Sequence, residues 1–461
     1  MKPLFLQSLK VIPLLAGCIT HASAANQQIT ATSLGAPLTE SPAPRLSLDS
    51  LQKPAWLTDL SLNLKESYDD NIYLAGNGQP TSFTVPAGSV AALENRASWV
   101  TTVSPKLGVN LAPLFGDQKV LQALSFAYAP DFAIYHDQPI ESYDAHRFTT
   151  AIKAKADAFS FNLDNGFTYI HGSQVAPFYP GAFYSAWGIV APRERREQIQ
   201  DRAAVSLQYD QENWFIRPAA SLLYYDLMTE QQNIPGYLNF SDRYDVNGGA
   251  DFGYKVEPQL ALTLGYRYGH QYQEQFSFTP YSSSSDYQRV LVGLEGKPWK
   301  WLDIKFQGGP DFRSYAGTTP VNNLHPVTYY GEGTFAATLT DKDALAFKYK
   351  QFRWVSCLGK VPYIDSQYDL SYHRKLTSQL GLDLGAKLLS ADYSIGNLPS
   401  CQRDDLQYTV SAGVNYTFNT HISANLAYSR DMGRNTQDGV VNQQTREYDR
   451  DLVSLGAILK F

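Results

Sequence analysis

From about residue 57 to the last residue the chain repeats one rhythm: runs in which apolar and polar side chains alternate, joined by connections that are alternately short and long. The final run displays it, with Val453, Leu455, Ala457, Leu459 and Phe461 on one side and Ser454, Gly456 and Lys460 on the other, where Ile458 is the one interruption. Period 2 sends one set of side chains to each face of a strand. Run after run of it, with no helix between, demands a sheet that closes on itself or packs on another. Where the outward set is apolar and edged with Tyr, Phe and Trp while the inward set is polar, the solvent outside is lipid. The expected fold is all-β: a transmembrane, antiparallel, up-and-down barrel in the outer membrane of a Gram-negative cell.

About eighteen runs are legible, the first near 57–74 and the last near 446–461, and an even number suits a single chain with both ends in the periplasm. Merging one hairpin gives the alternative of sixteen. Tight turns such as Asp157-Ala158, Glu257-Pro258, Asp341-Lys342 and Asn419-Thr420 mark the periplasmic rim, and the longer connections face outward. Charged residues are only 18% of the chain, whereas Tyr, Phe and Trp number 31, 23 and 7, as a lipid-facing wall with aromatic girdles requires. The net charge of -6 argues against nucleic acid as a partner.

Residues 1–24 read as a signal peptide: Lys2 and Lys10 flank an apolar core from Val11 to Ile19, and Ala22-Ser23-Ala24 is a cleavage site of small residues. Leu15-Ala16-Gly17-Cys18 leaves a second reading open, a lipobox in which Cys18 carries the acyl chain. Residues 25–56 are rich in Ala, Ser, Thr, Pro and Gln without periodicity and read as a disordered periplasmic arm. The barrel is then 57–461. No stretch of about 20 apolar residues follows the leader, so no helical anchor is expected.

Facing follows from cost. Leu302, Ile304, Phe306 and Phe312 alternate with Asp303, Lys305, Asp311 and Arg313, and a charge turned to lipid costs roughly one to four kcal/mol depending on depth. The charged face is the lumen. The same reasoning turns Lys153, Lys155, Arg243, Asp245, Asp251, Lys255, Arg267, Arg289, Glu295, Glu332, Lys348, Lys350, Asp383 and Lys387 inward. Both signs are present, with a modest basic excess.

The segment Ser67-Tyr68-Asp69-Asp70-Asn71-Ile72-Tyr73-Leu74 resembles the opening signature of the outer-membrane β-barrel porins of type 2, with Tyr68, Asp69, Asp70 and Asn71 as its motif. The segment from Tyr448 to Phe461 is similar to the general sorting signal of outer-membrane barrels, in which Phe461 addresses the barrel assembly machinery. The resemblance implies a porin-like wall surrounded by lipid and lipopolysaccharide, and it brings no substrate and no active residues with it.

Other constellations are weaker. The carboxylates of Asp69 and Asp70 suit a hard cation, but no Asp-x-Asp-x-Asp-Gly loop follows; the simpler reading is a polar exit of the strand from the membrane. The histidines are not spaced as metal ligands, and His373 beside Asp369 is read as lumen lining. No metal, cofactor or catalytic centre is expected. Cys357 and Cys401 fall in consecutive outer connections and in an oxidising compartment are expected to form a disulfide, with two free thiols as the alternative. The long connection 172–195 and the 75–95 connection are candidates for a loop folded into the lumen, an outer lid being the alternative. Together these features point to passive diffusion of small hydrophilic solutes with a weak lean toward anions. Export of a surface polysaccharide, or an adhesive or structural barrel, are the other readings.

Overall fold

The computed structural model describes residues 54–72, 74, 84–85, 88–89, 97–116, 119–172, 197–228, 241–275, 282–355, 361–397, 404–435 and 448–461. Its strands run up and down in chain order. They are β1 (Leu57–Asp69), β2 (Ser98–Asn110), β3 (Leu121–Tyr128 and Asp131–Tyr135), β4 (Tyr143–Ala156), β5 (Phe159–His171), β6 (Gln198–Asp210), β7 (Trp214–Asp226), β8 (Arg243–Glu257) and β9 (Leu260–Gln273). The second half comprises β10 (Ser285–Trp299), β11 (Leu302–Tyr315), β12 (Val327–Thr338), β13 (Asp343–Trp354), β14 (Tyr363–Lys375), β15 (Leu380–Asp392), β16 (Asp404–Thr417), β17 (Ile422–Asn435) and β18 (Tyr448–Lys460). All pairings are antiparallel between neighbours, and β1 pairs with both β2 and β18, so the sheet is a closed barrel of eighteen strands. Closure satisfies every ladder group without an edge, which is what lets a sheet cross lipid. The protein is an outer-membrane β-barrel.

The third strand is broken by Ala129-Pro130. Proline has no N–H for the ladder, yet both halves stay in one register against β2, because Leu107 pairs with Tyr128 and Val103 with Phe132. Periplasmic turns are closed by local side-chain acceptors: Asn419 Oδ1 accepts the N–H groups of His421 and Ile422 at 2.8 and 2.9 Å. Near its periplasmic end β10 shifts register against β11, between Gly296 and Trp299. Gly296 sits there at φ +128°, and a Cβ at that position would lie 1.9 Å from the Gln259 carbonyl.

Outward side chains are apolar through the middle of the wall, with Val292, Leu426 and Leu455 more than half exposed. Aromatic rings mark both rims. Trp299 and Trp301 stack at 5.5 Å by the periplasmic turns, and Tyr68 meets Trp99 at 5.2 Å at the opposite end.

β1 stops at Asp69 rather than near 74, because Asp69 to Asn71 turn inward to bond β18. Cys18, Cys357, Cys401 and nearly all of the 75–95 and 172–195 connections lie outside the described residues.

Candidate functional site

The interior is built by parity. On β10, Ser285, Tyr287, Arg289, Leu291 and Gly293 are buried while Asp286, Gln288, Val290 and Val292 are exposed, and β8 and β9 alternate in the same sense. Of the charged residues assigned inward from the sequence, Asp245, Arg267, Arg289, Lys305, Glu332, Lys348 and Lys350 line one interior cavity. Arg217, which is not among those residues, belongs to the same face. The signal was available, since it shares parity with Phe215 and Ala219 on β7 and stands opposite Asp251.

The inward charges form two kinds of structure. Low in β7–β10, Arg217 donates two bonds to Glu295 at 2.8 and 2.9 Å and one to Asp251 at 3.2 Å, while Arg267 reaches the same Asp251 at 2.8 Å. Higher, Asp311 is buried between Arg289 and Arg313, which donate at 2.9 and 3.0 Å. The Arg289 guanidinium is also sandwiched between the rings of Tyr287 and Tyr330, at 4.0 and 4.2 Å from their centroids. Such groups are rigid lining, because each charge is held by two or more partners.

The second structure is a single register row. Cross-strand partners in sequence are Lys255, Ala261, Glu295, Lys305, Thr334, Lys348, Asp369, Lys387, Thr409, Asp431 and Arg450, one from each of β8 to β18. A row perpendicular to tilted strands climbs as it goes round. This one begins two residues from the periplasmic end of β8 at Lys255 and ends near the outer end of β18 at Arg450. Charge alternates along it, Asp369 facing Lys387 at 3.5 Å and Asp431 facing Arg450 at 3.3 Å.

Part of the lumen is filled, and the filling comes from an unexpected place. β13 pairs with β12 only as far as Gln351 opposite Gly331, but stays paired with β14 up to Trp354 opposite Tyr363. Above Gln351 the β13–β14 hairpin therefore leaves the wall and leans inside. There Gln271 and Arg313 donate to the Arg353 carbonyl at 2.9 and 3.4 Å, and Arg243 donates to the Val355 carbonyl at 2.6 Å. The Arg243 guanidinium lies 5.1 Å from the rings of both Tyr225 and Trp354. Phe352, Trp354, Val355, Val361, Tyr363 and Tyr393 pack with Tyr225, Leu291 and Tyr330 into an apolar cluster inside the barrel. The described infolded segments are thus residues 352–355 and 361–363, the outer ends of these two strands. The 172–195 and 75–95 connections, where infolding was expected, fall almost wholly outside the described residues. Inward aromatic residues at one height on several strands were the sequence signal for it.

Beneath this ceiling lies a cavity of about 320 Å³, lined by Arg202, Asp245, Lys305, Glu332, Lys348 and Lys350 among others. Its carboxylates are engaged. Glu332 accepts from Tyr330 at 2.7 Å and from Gln307 and faces Lys350 at 4.0 Å, and Asp245 accepts from Tyr287 and Gln271 at 2.7 and 2.6 Å.

The remaining inward candidates line other parts of the wall. Lys255 reaches Asp210 at 3.3 Å, Asp303 lies 3.7 Å from Lys297 near the periplasmic rim, and Lys153 and Lys155 stand low on β4. His373 bonds Asp383 at 2.7 Å across the β14–β15 pair, rather than Asp369 on its own strand.

The Tyr68–Asn71 motif has a different position from the polar exit inferred for it. Asp69 and Asn71 are 1% and 6% exposed. Asp69 takes a two-point ion pair from Arg450, Asp70 Oδ1 accepts the Asp451 N–H at 2.7 Å, and Asn71 Nδ2 donates to the Asp449 carbonyl at 2.9 Å. The motif fastens the first strand to the last. No group able to hold a metal ion occurs among the described residues.

No family model matches the chain, and no curated protein matches it. Among solved structures it is similar to OccK2 (OpdF) of Pseudomonas aeruginosa in complex with glucuronate, at 11% identity and TM-score 0.41 over 87% of this chain and 98% of that one. The outer membrane protein OpdK of Pseudomonas aeruginosa gives 10% and 0.39 over 87% and 99%. The siderophore receptor PirA of Acinetobacter baumannii gives 9% and 0.41 over 88% and 81%. Likenesses this distant decide nothing about solute or mechanism.

Proposed function

We propose that the barrel is a passive channel for small hydrophilic solutes, with a weak preference for anions. The observation that carries this reading is the climbing row from Lys255 to Arg450. It gives a polar solute successive charged partners from one end of the lumen to the other, inside a wall whose low dielectric strengthens each contact. Most charges in the row are offset by a neighbour of opposite sign, which keeps selectivity weak; Lys305 and Lys348 tip it toward anions. Mechanism here is geometry and electrostatics, with the infolded hairpin setting the size limit. The resemblance of Tyr68–Asn71 to the type 2 porins agrees with a channel wall, with Phe461 as the assembly signal and lipopolysaccharide as the surrounding lipid. The test is single-channel recording of the purified barrel in planar bilayers. Discrete conductance steps in potassium chloride are expected, and a barrel that inserts without conducting overturns the proposal.

A further inference from the structure

Closure leaves one stretch of edge. Val327 to Tyr330 of β12 pair with β11 on one side, but on the other side β13 has left the ladder above Gln351. Arg313 donates to the Pro326 carbonyl at 3.0 Å, and backbone groups alternate along a strand, so Val327 and Tyr329 turn theirs to the side that β13 has left. Their side chains are 60% and 74% exposed, on the outer surface of the wall. Unpaired ladder groups in a membrane wall are costly.

The segment that left carries a cost of its own. Arg353 is 5% exposed, its Nε has no hydrogen-bond partner, and its only polar side-chain contact among the described residues is the Tyr315 hydroxyl at 3.4 Å. A buried cation without a counterion is unfavourable. Continuing the β12–β13 register by four residues removes both costs at once. It sets Arg353 opposite Tyr329 and Val355 opposite Val327, fills the edge, and turns the guanidinium outward beside the exposed Tyr329 ring.

Two things hold the segment inside instead: the bonds to the Arg353 and Val355 carbonyls, and a clasp. The connection before β12 meets the one after β15, where Val321 bridges Gly396. Asn322 N–H donates to the Ile395 carbonyl at 3.0 Å, Asn397 N–H to the Pro320 carbonyl at 3.1 Å, and Asn322 Nδ2 to the Gly396 carbonyl at 3.1 Å. β12 and β15 flank β13 and β14 in the sheet, so with both strands in the wall they stand roughly 14 Å apart, and the clasp draws their outer connections together. We propose that the outer ends of β13 and β14 have two positions, the infolded one and one in the wall, zipped to β12 in the continued register, and that release of the clasp moves them from the first to the second and widens the lumen. The proposal rests on the channel reading and adds a regulated step to it.

The test uses the complete barrel with Cys357→Ser and Cys401→Ser, so that no thiol of these connections competes. Tyr329→Cys with Arg353→Cys places two thiols on facing positions of the continued register, where Cα atoms roughly 5.5 Å apart allow a disulfide. Mild oxidation in detergent is expected to cross-link them, and Asn322→Ala with Asn397→Ala to speed the reaction at least about threefold. Thr328→Cys with Arg353→Cys, on opposite faces, is expected to stay reduced. In single-channel recordings the barrel without added cysteines is expected to visit two conductance levels, and the cross-linked barrel to stay in the larger until reductant is added. Tyr329→Pro removes the N–H that zipping needs and costs the infolded position no ladder bond, so it is expected to lose the larger level. No cross-link even with the clasp weakened, equal cross-linking of the off-face pair, or unchanged levels in Tyr329→Pro overturns the two positions, and no acceleration by the asparagine pair overturns the clasp. A wild-type barrel that does not conduct overturns the channel reading alone, since cross-linking is read without current.

Discussion

Asp69 and Arg450, separated by almost the whole barrel in sequence, meet in a two-point ion pair whose contacts are 2.6 and 3.0 Å. Asp69 is the last residue of β1 and Arg450 the third of β18, so the pair spans the one seam that no hairpin closes. Arg450 also touches Asp431 on β17 at 3.3 Å, and Asp431 accepts from Thr409 on β16 at 2.7 Å. The seam is thereby tied into four strands.

Removing one partner leaves a buried charge without its counterion. Asp69→Ala or Arg450→Ala is expected to lower the stability of the folded barrel by about 3 kcal/mol, and the double substitution by clearly less than the two losses added. Urea unfolding in micelles measures it. Additive losses would show that the pair does not act as a unit.

Phe461 is 62% exposed on the lipid side, and its N–H donates to the Leu60 carbonyl on β1 at 2.9 Å. Its aromatic ring contributes no core packing, so its deletion is expected to act on assembly: much less heat-modifiable protein reaches the membrane, while the fraction that folds melts near the wild-type temperature. Undiminished levels of folded barrel would remove the residue from the assembly signal.

Arg243 is the latch of the infolded hairpin. Arg243→Ala takes away the bond to the Val355 carbonyl and the contacts to Tyr225 and Trp354, and single-channel conductance is expected to rise by on the order of twofold as the ceiling loosens. An unchanged conductance would mean that the hairpin does not limit the passage.

Selectivity is read from reversal potentials in a salt gradient. The unmodified barrel is expected to prefer anions by at most several-fold, and Lys348→Glu together with Lys350→Glu to shift the balance toward cations. Strong cation selectivity before substitution contradicts the assigned role of the basic residues.

Cys357 and Cys401 belong to connections separated by the single hairpin β14–β15. A bridge between them closes a loop of about 45 residues and contributes roughly four kcal/mol in the chain-entropy description. Peptide mass spectrometry without reductant is expected to recover the cross-linked pair, and two alkylated cysteines would refute it.

The barrel was legible in the sequence because alternation is a direct projection of its two solvents: Val453 to Phe461 show lipid on one face and water on the other without reference to any distant residue. Inward charges followed from the same cue. What alternation does not encode is where a strand leaves the wall. Phe352, Arg353, Trp354 and Val355 continue β13 without any break in pattern, and only the loss of pairing beyond Gln351 sends them inside. The place of Asp69 is hidden for a related reason: a carboxylate at a strand end looks solvated in the sequence until its partner, hundreds of residues away, is brought beside it by closure.

Burial of Trp354 under the infolded ceiling makes it a natural optical reporter. It is 4% exposed within the barrel, whereas Trp99, Trp299 and Trp301 stand on the outer surface at 49%, 57% and 46%. Brominated acyl chains extinguish emission from indoles they can touch. Reconstitution in brominated lipid should therefore silence those three and spare Trp354, whose emission, isolated as the difference between the wild type and Trp354→Phe, would follow the ceiling's hydration in real time.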